Sequence, residues 1–255
     1  MIVLGLDTAT ADTCVGLLSD TDGLPLALTR RHEPATGERP GHAEQLLALA
    51  GDVLHEASLT WGAVDRIAVG VGPGTFTGLR IGVSTARALA QASGCQLAAV
   101  STLAVLADGL HAAATDRQTA QRAAVACIDA RRGEVFVGAW LAGEQVLETR
   151  AVPPTALADL LAPLAVDGRS PVAVGDGAIR YREHLTAVAD VPADADTRHH
   201  VDGLALCRLA RYAPAADRDA LLPDYVRAPD AVTTADRAAA ANAATAAAAA
   251  AAARI

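Results

Sequence analysis

Two stretches of this 255-residue chain lie far apart and read alike. The segment "LDTATADTCVGLL" at 6–18 aligns without gaps on "IDARRGEVFVGAW" at 128–140, so that Asp7, Val15 and Gly16 fall on Asp129, Val137 and Gly138. Each is an apolar run ending in aspartate, then a polar turn, then a second apolar run, which is the pattern of two strands joined by a turn. Further along, "VGVGPG" at 69–74 resembles "VAVGDG" at 172–177. A plan that occurs twice requires two sheets built alike, each covered by its own helices.

The elements between these markers repeat in order as well. Apolar runs at 2–7, 13–19 and 24–31, separated by Asp20, Asp22 and Gly23, predict an antiparallel meander. Ala43, Leu46, Leu47, Ala50, Leu54 and Ala57 recur at helical spacing and predict a helix from His42 to Ala57 with those residues turned inward. A strand at 65–71, a helix ending near Ser93, a strand at 96–100 and a helix from Thr102 complete βββαβαβα. The second half adds a strand at 145–152 and helices at 154–162 and 202–213. The expected fold is α/β, two ribonuclease-H-like lobes, each βββαβα, as in the actin, hexokinase and Hsp70 superfamily (ASKHA). The first lobe spans 1–108 and carries the partner interface, the second spans 109–229, and an alanine-rich tail covers 230–255.

The formal net charge of −8 argues against a stand-alone nucleic-acid binder, because phosphate contacts need clustered cations. Any contact with RNA is then indirect. Cys14, Cys95, Cys127 and Cys207 are widely spaced in apolar contexts and read as buried thiols in a reducing compartment. The opening "MIVLGLDTAT" lacks a basic n-region and a cleavage site, and no stretch has the character of a membrane span. The expectation is a cytoplasmic protein with no membrane contact.

The densest local signal is "VGVGPGTFTGLRIGVSTARALA" at 69–90. It is not a P-loop, which needs a lysine after its last glycine, and the chain has no lysine. Nor is it a dinucleotide fingerprint, since Thr75 stands where the third glycine belongs and the strand before it is the fourth. The bland reading is a turn built on Gly72, Pro73 and Gly74, with Thr75 or Thr77 capping the next helix through its hydroxyl. That helix has one polar stripe, Arg80, Ser84, Arg87 and Gln91, and Gly78 and Gly82 opposite, where another helix can approach closely. The rest is apolar nearly all round, which marks a helix that is central or covered by another chain. With the 42–57 helix, widened by Leu49 and Val53, it predicts a subunit interface made of Leu46, Leu49, Val53, Phe76, Gly78, Leu79, Gly82, Thr85, Ala86 and Leu89.

These residues resemble the bacterial TsaB family, also called YeaZ. The likeness rests on the 70–90 helix signature, on "IVLGLDTAT" at the start, on "HAEQLLALA" at 42–50, on "IDARRGEVFVGAW" and on "PDYVR", with Pro223, Tyr225 and Arg227. It covers residues 1 to about 229 and leaves out the tail. The resemblance implies a non-catalytic scaffold that pairs with a TsaD-type catalytic subunit through the first two helices. A TsaE-type ATPase joins them, and a TsaC-type enzyme supplies threonylcarbamoyl-adenylate. The assembly modifies N6 of adenosine 37 in tRNAs reading ANN codons. The catalytic relative carries an H-x-x-x-H metal motif where this chain reads "AAVSTLAVLA", which has no imidazole or carboxylate to offer a metal.

No cofactor of its own is expected. ATP or ADP at a partner surface is the nucleotide site left open, with Asp7, Thr8, Arg131 and Arg132 as contacts. Asp7 at the end of the first strand reads equally well as a magnesium orienter and as an acceptor of backbone hydrogen bonds. Arg131 and Arg132 are bulky where related ATPases have small residues. His42 and Glu44 read as a solvated helix start, and His199 and His200, being adjacent, point apart. No H-E-x-x-H occurs, so a metallopeptidase reading has no support. The competing expectations are an ATP-dependent small-molecule kinase or carbamoyltransferase with Asp7 as base, and a homodimer through the same helices.

Overall fold

A computed structural model describes residues 1–21, 24–35, 37–114, 119 and 121–226. Arg227 and the alanine-rich tail lie outside the described residues. The first sheet has the order β3-β2-β1-β4-β5, from β1 (Ile2–Asp7), β2 (Thr13–Thr21), β3 (Leu24–His32), β4 (Arg66–Gly72) and β5 (Gln96–Ser101). The second has the order β8-β7-β6-β9, from β6 (Ala124–Arg131), β7 (Glu134–Leu141), β8 (Glu144–Val152) and β9 (Val172–Val174). β1 runs antiparallel to β2 and parallel to β4; β6 runs antiparallel to β7 and parallel to β9. The repeat read from the sequence is thus a repeat of topology, with Asp7 and Asp129 near the ends of matching strands.

β1 is buried at every position because both of its faces are covered. On one face, Leu4 and Leu6 pack with Leu17, Ile67 and Val69 under α1 (His42–Glu56) and α2 (Phe76–Ser93). On the other, Val3 and Ala68 meet α3 (Thr102–Ala112) and α7 (Gly203–Tyr212). The same core takes in Ala124, Ala126 and Ile128 of the second sheet. The outer face of that sheet, with Val125 and Cys127, is covered by α4 (Leu157–Leu161), α5 (Asp176–Arg180) and α6 (Arg182–Leu185).

The two halves exchange their last helices. α3 packs on β6 and β7 of the second half, and α7 packs on β1 and β2 of the first. The expected boundary between 108 and 109 therefore falls inside α3, and α7 belongs in space with the first sheet. Glycines make the second contact close. A Cβ on Gly16 of β2 would lie 2.2 Å from the carbonyl oxygen of Gly203. Asp202 caps α7, accepting from the amides of Leu204 and Ala205 at 3.0 and 3.1 Å. At the other end, Arg66 donates to the carbonyls of Ala210 and Ala213 at 2.6 and 2.8 Å. This satisfies acceptors that a helix end leaves free.

After α7 the chain returns across the first lobe as a strap, residues 214–226, with a turn at 218–220. The amide of Ala216 donates to Leu97 O at 2.7 Å, and that of Asp224 to Val71 O at 2.8 Å. The strap lies along the polar stripe of α2, so part of that helix is covered by this chain's own C-terminal segment. Among the described residues no helix is long and apolar enough to cross a membrane.

Candidate functional site

Asp7 ends β1 and is only 1% exposed. Its Oδ1 accepts from the amide of Ala9 at 2.8 Å, and its Oδ2 accepts from the hydroxyl of Thr102 at 3.0 Å. Gly70 makes room for it, since a Cβ there would stand 1.7 Å from Oδ2. Burial pushes its carboxyl up to about 6. Asp7 therefore ties the end of β1 to the start of α3, beside β4. Of the two readings left open by the sequence, the geometry favours the acceptor of internal hydrogen bonds. A magnesium orienter or a general base has to reach its ligand, and both oxygens here face protein donors.

Thr8 is likewise turned inward, its hydroxyl donating to Gly78 O at 2.7 Å. The close approach that Gly78 and Gly82 permit is to Thr8, not to another helix. A Cβ on Gly78 would lie 2.0 Å from Thr8 O, and one on Gly82 would lie 2.5 Å from Thr8 Oγ1. Thr75 precedes α2 but makes no side-chain cap; its amide donates to Ala9 O at 2.7 Å. The glycine-proline turn at 72–75 is therefore bound to the β1–β2 turn, where a Cβ on Gly74 would lie 2.3 Å from Ala9 O.

In the second lobe, Arg131, Arg132 and Gly133 turn β6 into β7 with φ of 63°, 55° and 78°. Asp129 sits beneath them, 3.3 Å from Arg131 Nη1 and 3.6 Å from Arg180 Nε. It also accepts from the hydroxyl of Tyr181 at 3.2 Å, while its amide donates to Asp176 at 3.1 Å. Burial raises the Asp176 carboxyl. Asp7 and Thr8 make their hydrogen bonds around the end of β1, and Arg131 makes its ion pair with Asp129 at the β6–β7 turn. Among the described residues no group of three or more His, Cys, Asp or Glu is placed to hold a metal ion.

The histidines differ from expectation. His42 is buried, with Nδ1 2.8 Å from the Thr13 hydroxyl, and α1 is preceded by Gly41 at its N-cap, which offers no side-chain cap. Burial lowers its pKa. His199 and His200 do diverge. His199 accepts from Gly175 N at 3.2 Å inside the second lobe, and His200 lies 2.6 Å from Asp12 of the first.

The expected partner surface is narrower than its residue roll. Leu46, Val53, Gly78, Leu79, Gly82 and Ala86 are buried in the first lobe's own core. Leu49, Thr85 and Leu89 are half-buried and Phe76 is exposed. Leu47, expected to face inward, is 49% exposed. Among the residues the two helices show to solvent are small and apolar ones, Ala43, Leu47 and Ala48 on α1 and Thr77, Ala88 and Ala92 on α2, bordered by the charged Glu44, Asp52 and Glu56 of α1 and by Arg80 of α2. Tyr225 was missed as a neighbour of α2. Its hydroxyl accepts from Arg80 Nε at 3.1 Å across 145 residues of sequence, a separation that local patterning cannot report.

Two sheets that share an antiparallel meander with a fourth strand parallel to its first, joined by exchanged helices, define a two-lobed α/β protein with ribonuclease-H-like lobes. Comparison with known proteins narrows this. The family model of TsaD, tRNA N6-adenosine threonylcarbamoyltransferase, matches residues 35–161. The tRNA threonylcarbamoyladenosine biosynthesis protein TsaB of Escherichia coli is 33% identical over 137 residues, 53% of each chain, so this match spans about half of that relative's length. TsaB of Bacillus subtilis is 27% identical over 91% of this chain and 96% of its own. A Pseudomonas aeruginosa protein with similarity to peptidase YEAZ has a crystal structure that superposes with a TM-score of 0.72 at 30% identity, over 89% of this chain and 99% of that one. The chain belongs to the TsaB (YeaZ) family.

Proposed function

We propose that this chain is a non-catalytic scaffold subunit of the machinery that makes N6-threonylcarbamoyladenosine at position 37 of ANN-decoding tRNAs. It pairs with a TsaD-type catalytic subunit through the exposed surface of α1 and α2, and the pair docks a TsaE-type ATPase. Its contribution is differential binding: a partner that binds only the competent state of the catalytic subunit shifts the population toward it. Contact with tRNA runs through the partner, as the net charge of −8 favours. The chain holds no cofactor by itself, and ATP or ADP enters only at a surface shared with a partner.

One observation carries this reading. The start of α3, where the catalytic relative places its metal motif, is filled with hydrocarbon: Leu103, Val105 and Leu106 are buried. The two hydroxyls there are engaged, Thr102 with Asp7 and Ser101 with the amide of Ala104. A metal site needs imidazole or carboxylate ligands in that place. The test is reconstitution of the tRNA modification from purified TsaC-, TsaD- and TsaE-type proteins, with and without this chain. Loss of modification in its absence is expected. Full modification without it overturns the proposal.

A further inference from the structure

The strap and α2 border an open groove of about 410 Å³, with Val83, Arg80 and Arg87 on one side and Leu221, Leu222 and Tyr225 on the other. Three of the chain's exposed large apolar side chains gather around it: Leu222 is 67% exposed, Phe76 40% and Tyr225 36%. The rings of Phe76 and Tyr225 lie 5.4 Å apart, and the Arg80 guanidinium stacks 3.8 Å above Phe76. Such a clustering of apolar and aromatic surface marks a binding site more often than chance exposure does.

Asp219 and Asp224 are exposed on the strap beside it, but Asp219 pairs with Arg218 and neither carboxylate is bonded to Arg80 or Arg87. Arg30, Arg122, Arg182, Arg208 and Arg211 each meet a carboxylate. Arg80 meets only the Phe76 ring and the Tyr225 hydroxyl. Arg87 reaches only the carbonyls of Leu221 and Asp219, at 3.5 and 3.4 Å. Among the described residues neither guanidinium has an acidic partner. Two arginines without a carboxylate partner among the described residues, beside the exposed rings of Phe76 and Tyr225, match the composition of interface anchors.

We propose that the strap and α2 together form a socket that receives an apolar side chain flanked by a carboxylate from the catalytic partner subunit, an inference that rests on the function proposed above. The apolar side chain fills the groove against Val83 and Leu222, and the carboxylate pairs with Arg80 and Arg87. The C-terminal strap is then part of the docking surface and not only a cover for α2. Phosphate of an RNA also pairs with arginine, but an overall charge of −8 opposes a polyanion while leaving one local carboxylate favourable.

The test is calorimetric titration of the full chain with the TsaD-type subunit at low and moderate salt. Leu222→Arg changes a side chain that is mostly in solvent, so thermal melting should match the wild type. Its affinity for the partner should fall at least about tenfold. The double variant Arg80→Gln with Arg87→Gln should bind more weakly and lose much of the salt dependence seen in the wild type. Wild-type affinity in Leu222→Arg, or unchanged salt dependence in the double variant, overturns the socket and leaves the scaffold role standing. A wild type that does not bind the partner at all overturns both. Binding of tRNA alone by the wild type, lost in Leu222→Arg, overturns the assignment to a protein carboxylate.

Discussion

Thr8 donates its hydroxyl proton to the carbonyl oxygen of Gly78 across 2.7 Å, and this bond fastens the first turn of α2 to the end of β1. The glycine is required because the helix lies directly on the backbone of Thr8. Gly78→Ala would place a methyl group 2.0 Å from a carbonyl oxygen that cannot move without the strand end. We expect it to cost about 3 kcal/mol or more, at the upper end of overpacking effects. Gly82→Ala meets the rotatable hydroxyl of Thr8 instead and should cost about 1–3 kcal/mol. Urea denaturation of the two variants checks the order. Gly78→Ala with near-native stability would contradict this packing.

The carboxyl of Asp7 makes stability depend on pH in an unusual direction. Burial raises it from 3.8 to about 6, so between those values the folded state holds a proton that the unfolded state has lost. Its contribution is fully present below about pH 4 and is lost as the pH rises through about 6, on the order of 3 kcal/mol in all. The lowered pKa values of His42 and His199 act with the opposite sign, so the difference between wild type and Asp7→Asn isolates the effect. An asparagine can still accept from Ala9 and donate to Thr102. The variant should be the more stable protein at pH 7–8 and lose that advantage at pH 4. Parallel stability curves would rule out a buried, strained carboxylate.

The exchange of α3 and α7 predicts that neither half folds alone. Deleting residues 203–226 would expose Val3, Ala68 and Ala98 on the inner face of the first sheet. We expect the truncated chain to lose cooperative thermal unfolding. A milder probe is Arg66→Met, which removes the donors to Ala210 and Ala213 and should cost about 2 kcal/mol. An isolated first half with a sharp unfolding transition would argue for two independent domains.

On the exposed surface of α1, Leu47→Asp should leave the melting temperature within a few degrees of wild type and prevent co-elution with the catalytic partner. Val53→Asp is the contrasting variant. Val53 is fully buried, so an aspartate there should unfold the first lobe before any interface is tested. Retained co-elution of Leu47→Asp would move the interface elsewhere.

The thiols should differ in reactivity. Burial pushes Cys14 and Cys127 up to about 12 and raises Cys207 as well. Cys95 is only half-buried. A thiol reagent at pH 8 should modify one cysteine per folded chain and all four after denaturation. Rapid modification of Cys207 in the native protein would contradict its place under the first sheet.

Period and turn chemistry were enough to place the strands, the long helices and the duplication of Asp7 in Asp129, because each is written in residues close along the chain. Residue identity alone also excluded a P-loop, since the chain has no lysine to reach a phosphate. What the sequence could not rank was inside against outside on α1 and α2. Both helices are apolar on more than one side, and Leu46 and Leu47 look equal until the sheet beneath them is known. Tertiary packing buried Leu46 and left Leu47 in solvent. It turned Gly78 and Gly82 toward Thr8, sent α7 back to the first sheet and laid Tyr225 against Phe76. These contacts join residues tens to hundreds of positions apart, so they depend on which faces meet in the folded chain and leave no periodic trace in its sequence.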